Sequence, residues 1–202
     1  MNDAATEVDQ PQGRPRGFQR FMKLRRWHAI AIAVVAFCLF LLSGGLLNFS
    51  SSAVTKAKKV TALNNAKSVE AALTNFFTEY GDLPHVPNQV TTDTPDGVKF
   101  LNVVMGIETG ANPQNTRGVK FLSPPQGKDK QGGLIYDSSG KSVAGLYDSW
   151  GNPYGVVLDT DFDERLQFQW GDQSVDLKGR RAAVFSAGPD RKLGTSDDIR
   201  TW

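Results

Sequence analysis

The stretch Ala29–Phe49 reads AIAIAVVAFCLFLLSGGLLNF, 21 residues without a charged side chain. As an α-helix rising about 1.5 Å per residue it reaches across roughly 30 Å, the thickness of a bilayer's hydrocarbon. The sequence therefore predicts a transmembrane helix. A cleavable secretory leader is the rival reading. The run is longer than the usual apolar region of a leader, and no clean small-x-small junction follows it; only Ser50-Ser51-Ser52-Ala53 approaches one.

Charge around the run predicts orientation. Arg14, Arg16, Arg20, Lys23, Arg25 and Arg26 precede it with no acidic residue among them and outweigh Lys56, Lys58 and Lys59 behind it. The positive-inside rule then gives a basic cytoplasmic tail (1–28, its first 13 residues unstructured), a membrane helix (29–49) and a domain (50–202) facing the periplasm or exterior. A single-pass protein of the bacterial inner membrane is the expected localisation. From Ser50 onward 17 basic side chains stand against 18 acidic ones. A face for nucleic acid is not expected on so neutral a domain. Cys38 is the one cysteine and His28 and His85 the two histidines. Disulfide, zinc-cluster and imidazole chemistry are thus poorly supplied, and neither an enzyme nor a small-molecule substrate is expected.

Beyond the run, Val60, Leu63, Ala66, Val69, Leu73, Phe76 or Phe77, and Tyr80 recur at steps of three and four, predicting an amphipathic helix that Gly81-Asp82-Leu83-Pro84 stops. No proline lies between Trp27 and Leu83, so one rod is expected to join it to the membrane helix, Gly44-Gly45 being a flexible or close-packing point. Residues 84–132 read as a long connection with one apolar patch, Phe100–Met105. Short β-type runs follow at Leu134–Tyr136, Val143–Tyr147, Tyr154–Leu158, Leu166–Trp170 and Ala182–Phe185, separated by turn residues such as Trp150-Gly151-Asn152-Pro153. The predicted fold class is α+β: a long N-terminal helix, half transmembrane and half amphipathic, packed on a small antiparallel meander.

Three segments carry a family resemblance. Leu146-Tyr147-Asp148-Ser149-Trp150-Gly151-Asn152-Pro153-Tyr154 looks like the D-P-W-G-N-P-Y segment of the major pseudopilin of type II secretion systems, with Ser149 where proline is usual. Phe185–Ile199 (FSAGPDRKLGTSDDI) looks like its C-terminal S-x-G-x-D-G-x-x-G-x-x-x-D-D-I loop, Arg191 replacing a glycine, and Ala66–Pro84 resembles its helix end. The chain thus resembles the type IV pilins and pseudopilins, which implies a pilin-like fold and a structural subunit whose partners are the membrane, other pilin-like subunits and secretion-system components. The alternative is a membrane-tethered, non-polymerising calcium-dependent binding or scaffold module. At the prepilin-like Gly17-Phe18 junction the fifth position holds Met22 rather than glutamate, and cations follow it, so an uncleaved start is expected.

In the resembled proteins the C-terminal loop binds Ca²⁺. That implies Asp190, Asp197 and Asp198 as side-chain ligands, Leu193 as a backbone carbonyl donor and Thr195 as a further oxygen. From the residues alone, three nearby carboxylates repel one another unless a cation neutralises them, and hard oxygen donors suit Ca²⁺. The plainer reading is a solvated acidic turn paired with Arg191, Lys192 or Arg200. Asp159-Thr160-Asp161-Phe162-Asp163 imitates the start of an EF-hand, but Glu164 and Trp170 stand where the turn glycine and final glutamate belong; a polar hairpin is expected, with a second cation site left open. Trp150 is expected to plug the core edge. Glu70 and Glu79 are read as solvated or as subunit contacts.

Overall fold

The structure is a computed structural model; it describes the backbone of residues 16–202 and the side chains of residues 28, 30–39 and 52–202. The tail 1–13 lies outside the described residues, and at the basic cluster, the Gly17-Phe18 junction and Gly44-Gly45 nothing beyond the backbone of residues 16 onward is described. Chain contacts divide it into Met1–Ser52 and Ala53–Trp202.

Helix α1 (Arg16–Tyr80) is followed by β1 (Gln89–Thr91), α2 (Pro95–Met105), β2 (Gly133–Tyr136), β3 (Val143–Tyr147), β4 (Gly155–Leu158), β5 (Arg165–Trp170), β6 (Gln173–Lys178), β7 (Ala182–Ser186) and β8 (Ile199–Arg200). In the first unit Ile30, Ile32, Val34, Val35, Phe37 and Leu39 are all exposed.

The transmembrane expectation is corrected here. Among the described residues no helix is long and apolar enough to cross a membrane. Only 30–39 of the predicted span have described side chains, and ten residues make about 15 Å of helix, half the hydrocarbon thickness. The side chains of Ala29 and 40–49 lie outside those described. Single-pass inner-membrane anchoring, and the localisation built on it, are therefore unsupported.

The sheet is corrected as well. In place of one meander, the described chain has three small antiparallel sheets: four strands in the order β1-β4-β7-β8, and the separate hairpins β2–β3 and β5–β6. The fold class of one helix on one small sheet is thus replaced by helices α1 and α2 with three small antiparallel sheets. The cause lies in β4 and β7. GVVL and AAVFS are buried at every position, because both faces of this pair are covered. Val156, Leu158, Ala182 and Val184 turn to the main core with Ala62, Ala66, Val69, Ala72 and Leu73 of α1 and with Phe100, Leu101 and Val104 of α2. Val157, Ala183 and Phe185 face the other way, onto Leu166, Phe168 and Trp170 of β5 and onto Trp202. The β5–β6 hairpin is the second cover, which is why β5 alternates exposed and buried residues while β6 is nowhere fully buried.

Helix α1 meets the main core through small residues as well as through Val69 and Leu73. Ala62, Ala66 and Ala72 have no exposed surface, whereas Val60, expected in the stripe, is 58% exposed. Alanines let the β-layer approach so closely that the Tyr154 hydroxyl donates to the Ala62 carbonyl at 2.9 Å. Burial, chiefly, raises the Tyr154 hydroxyl's pKa. Helix α2 is longer than its apolar patch implied: Thr94 caps it through Gly97 N (3.2 Å), Pro95 opens it and Gly106 closes it in the left-handed region at φ 68°.

Two substitutions test this packing. Tyr154→Phe should cost about 1 kcal/mol by removing one buried hydrogen bond. Gly97→Ala should cost about 1–3 kcal/mol although alanine is the better helix former, because its Cβ would lie on the Thr91 carbonyl, 2.7 Å from Thr92 Cα. Urea unfolding monitored by circular dichroism reads both.

Candidate functional site

The turn between β3 and β4 is organised by one carboxylate. Asp148 has no exposed surface. Its Oδ1 accepts from Trp150 N (2.8 Å) and Asn152 N (2.9 Å); its Oδ2 accepts from Asn152 Nδ2 (2.8 Å) and Ser186 Oγ (2.6 Å). A buried carboxylate is tolerable only with such a full set of donors. The Asp148 backbone is held too: Gly132 N donates to its carbonyl at 2.6 Å, and its own N–H donates to Asn152 O at 2.8 Å. Ser149, where the resembled family has proline, donates its hydroxyl to the Lys58 carbonyl of α1 at 2.9 Å. Trp150 packs half-buried against the main core.

From β7 the chain passes Gly188, left-handed at φ 63°, into the loop that returns to β8. A Cβ on Gly188 would stand 2.5 Å from the Asp197 carbonyl oxygen, so glycine lets the two arms of the loop close on one another. Asp190, Asp197 and Asp198 each bring a carboxylate oxygen to the same place, all within 4.8 Å of one another. Ligands on opposite sides of one Ca²⁺, at 2.3–2.6 Å each, are about 5 Å apart, so the spacing fits a single ion. Thr195 belongs to the cluster: its hydroxyl is 2.6 Å from Asp197 Oδ1 and 3.3 Å from Asp198 Oδ1. Gly194 N donates to Asp198 Oδ2 at 2.8 Å, and Lys192 N to Asp190 Oδ1 at 2.8 Å. The Leu193 carbonyl oxygen packs over Gly171 of the β5–β6 turn.

Two of the three basic residues of the plainer reading, Arg191 and Arg200, are engaged elsewhere. Arg191 Nη2 donates to the Trp150 carbonyl at 3.3 Å, and the Arg200 guanidinium lies 5.1 Å from the centre of the Trp170 ring. Among the described residues, no ion pair involves Asp190, Asp197 or Asp198. Burial raises the Asp198 carboxyl above its ordinary range, and the charge of Asp190 adds to this against the backbone donors of Gly194 and Thr195. The Thr195 hydroxyl, chiefly, holds Asp197 below that range, helped by the charge of Lys59.

A second acidic group, Asp159, Asp161 and Asp163, is equally compact. Both oxygens of Asp159 already accept backbone hydrogens, from Asp163 N and Glu164 N at 3.1 Å each, and this folds a turn in which Phe162 and Glu164 are left-handed. Burial raises the Asp159 carboxyl as well. Among the described residues two acidic clusters could thus hold a metal ion, the first exposed at Asp190 and the second at Asp161 and Asp163.

Sequence reasoning singled out the carboxylates of both clusters. It missed Asp148 as a hub; the signal was an acidic residue locked inside a turn motif otherwise composed of packing and turn residues. No family model, no curated protein and no solved structure matches the chain. The pseudopilin and secretion-system terms suggested by the motifs therefore gain no family support.

Two outcomes are expected. Asp148→Ala should cost about 3 kcal/mol or more, since it takes the acceptor from four donors, three of them in buried bonds, whereas Asp190→Ala in chelator should stay within about 0.5 kcal/mol; chemical unfolding separates them. For Asp198 the folded chain binds its proton more tightly than the unfolded one, so its contribution to stability is largest in acid and falls as pH rises from 3.8 through the raised folded value. In EGTA, Asp198→Asn should accordingly gain stability relative to wild type over that rise, read as the difference between their melting temperatures.

Proposed function

We propose that Ala53–Trp202 is a non-catalytic structural module, a pilin-like subunit or scaffold in kind, whose C-terminal loop is tied shut by Ca²⁺. The observation that carries the proposal is the convergence of the Asp190, Asp197 and Asp198 oxygens within 4.8 Å, with no cationic side chain paired to them among the described residues. Like charges held this close in a partly buried loop oppose folding until a cation joins them. A hard, all-oxygen set selects calcium over softer metals.

Asp190, Asp197 and Asp198 would supply carboxylate oxygens, and Thr195 and the Leu193 carbonyl are the further oxygens that the motif resemblance assigns. Bound calcium would fasten the segment between β7 and β8, and with it the β8 edge of the four-stranded sheet. The motif resemblance supports assembly with other pilin-like subunits as the use of such a domain. The aspartates gather around one another rather than around a nucleophile and base, which favours ligation over catalysis.

Free calcium at a hundred times its dissociation constant should add about 2.7 kcal/mol to the stability of the folded domain. Thermal melts in millimolar calcium and in EGTA measure this. Equal melting temperatures in the two would overturn the reading, as would an undiminished calcium shift in Asp197→Ala.

A further inference from the structure

A chain of buried polar atoms runs from the β3–β4 turn to the cation loop. Asp148, Ser186 and Asn152 are 0%, 1% and 8% exposed. Asp148 Oδ2 accepts from Ser186 Oγ at 2.6 Å, and that same hydroxyl oxygen accepts the Gly188 N–H at 3.4 Å. Asn152 Nδ2 uses its two hydrogens in the same way, one on Asp148 Oδ2 at 2.8 Å and one on the Gly188 carbonyl at 2.6 Å. Gly188 is thus gripped at both of its backbone polar groups by side chains that hang on one carboxylate. Its left-handed backbone also lies against the Asp197 carbonyl, so its position fixes where the arm carrying Asp190 meets the arm carrying Asp197 and Asp198.

We infer that Asp148, Asn152 and Ser186 are positioning residues for the cation loop: by fixing Gly188 they set the spacing of the three carboxylates and hence the loop's calcium affinity. The inference rests on the calcium reading above. Partners that orient ligands without touching the ion typically change metal affinity by ten- to a hundredfold, and Gly188 holds that place here. The network does not end at the loop. Through the Asp148 turn it reaches Ser149, whose hydroxyl is on the Lys58 carbonyl, so the ion site and helix α1 share one scaffold.

The test is calorimetric titration of the full chain with calcium, alongside melting in EGTA, for wild type, Ser186→Ala and Asn152→Ala. Ser186→Ala removes a single hydroxyl and is the milder change, so it decides the question if Asn152→Ala does not fold. The expected result is one calcium per chain in wild type and roughly ten- to hundredfold weaker binding in the folded variants. A purely structural role predicts lower melting temperatures in EGTA with calcium affinity within about twofold of wild type; that pattern overturns the inference and leaves the calcium reading intact. Absence of calcium binding by the wild type overturns the calcium reading itself, and the inference with it.

Discussion

A carboxylate sealed from water has to be met entirely from within the chain, and around Asp148 this requirement draws distant segments together. Its four donors come from its own turn and from the end of β7, while its backbone is tied to Gly132 ahead of β2. The neighbouring Ser149 adds α1. This one turn thereby ties together the main helix, the β2–β3 hairpin, the central strands and the loop of carboxylates. Hydrogen bonds of this kind contribute little net energy singly, but the cost of leaving any of them unmade is high, and the arrangement is correspondingly unique.

The central strands obey a second constraint. β4 and β7 carry apolar side chains on both faces, so each face needs its own cover. α1 and α2 supply one and the β5–β6 hairpin the other, with Trp202 closing the second core edge-on against Phe168, Trp170 and Phe185 at 5.4–6.0 Å. The acidic loop is bounded by this second layer: a Cβ on Gly194 would stand 3.4 Å from the Trp170 carbonyl oxygen, and Gln173 Nε2 donates to the Gly194 carbonyl at 3.3 Å. The acidic residues are thus mounted on a packed surface rather than on a free tail.

Much of this is legible in the residues, and what is not has identifiable causes. The runs at Val143–Tyr147, Leu166–Trp170 and Ala182–Phe185 show themselves by apolar content and bounding turns, and the Asp190–Asp198 loop by charge and glycine spacing. β1 is three residues long with only Val90 buried, and β8 only two residues, too short to leave a periodic signal. β6, Gln-Ser-Val-Asp-Leu-Lys, is polar because it is the outer strand of its hairpin. Spatial strand order is a tertiary property: nothing in Gln89–Thr91 announces that its partner is Gly155–Val157. Of the stripe expected on α1, Ala66, Val69, Leu73 and Phe76 are buried, while Val60 is exposed and the small residues Ala62 and Ala72, which carry little apolar signal, join the contact face. Asp148 was hidden by its type, since an aspartate in a turn motif reads as solvated until its surroundings are known.

The strand order has a consequence for how the domain is built in time. The hairpins β2–β3 and β5–β6 pair neighbours in the chain, but β1 must find β4 more than sixty residues away, and β4 must then find β7 across the intervening hairpin. Loop closure of that kind is what slows folding in proteins of high contact order. The local hairpins, β7–β8 around the carboxylate loop included, can form early, while the pairings β1–β4 and β4–β7 wait for their distant partners.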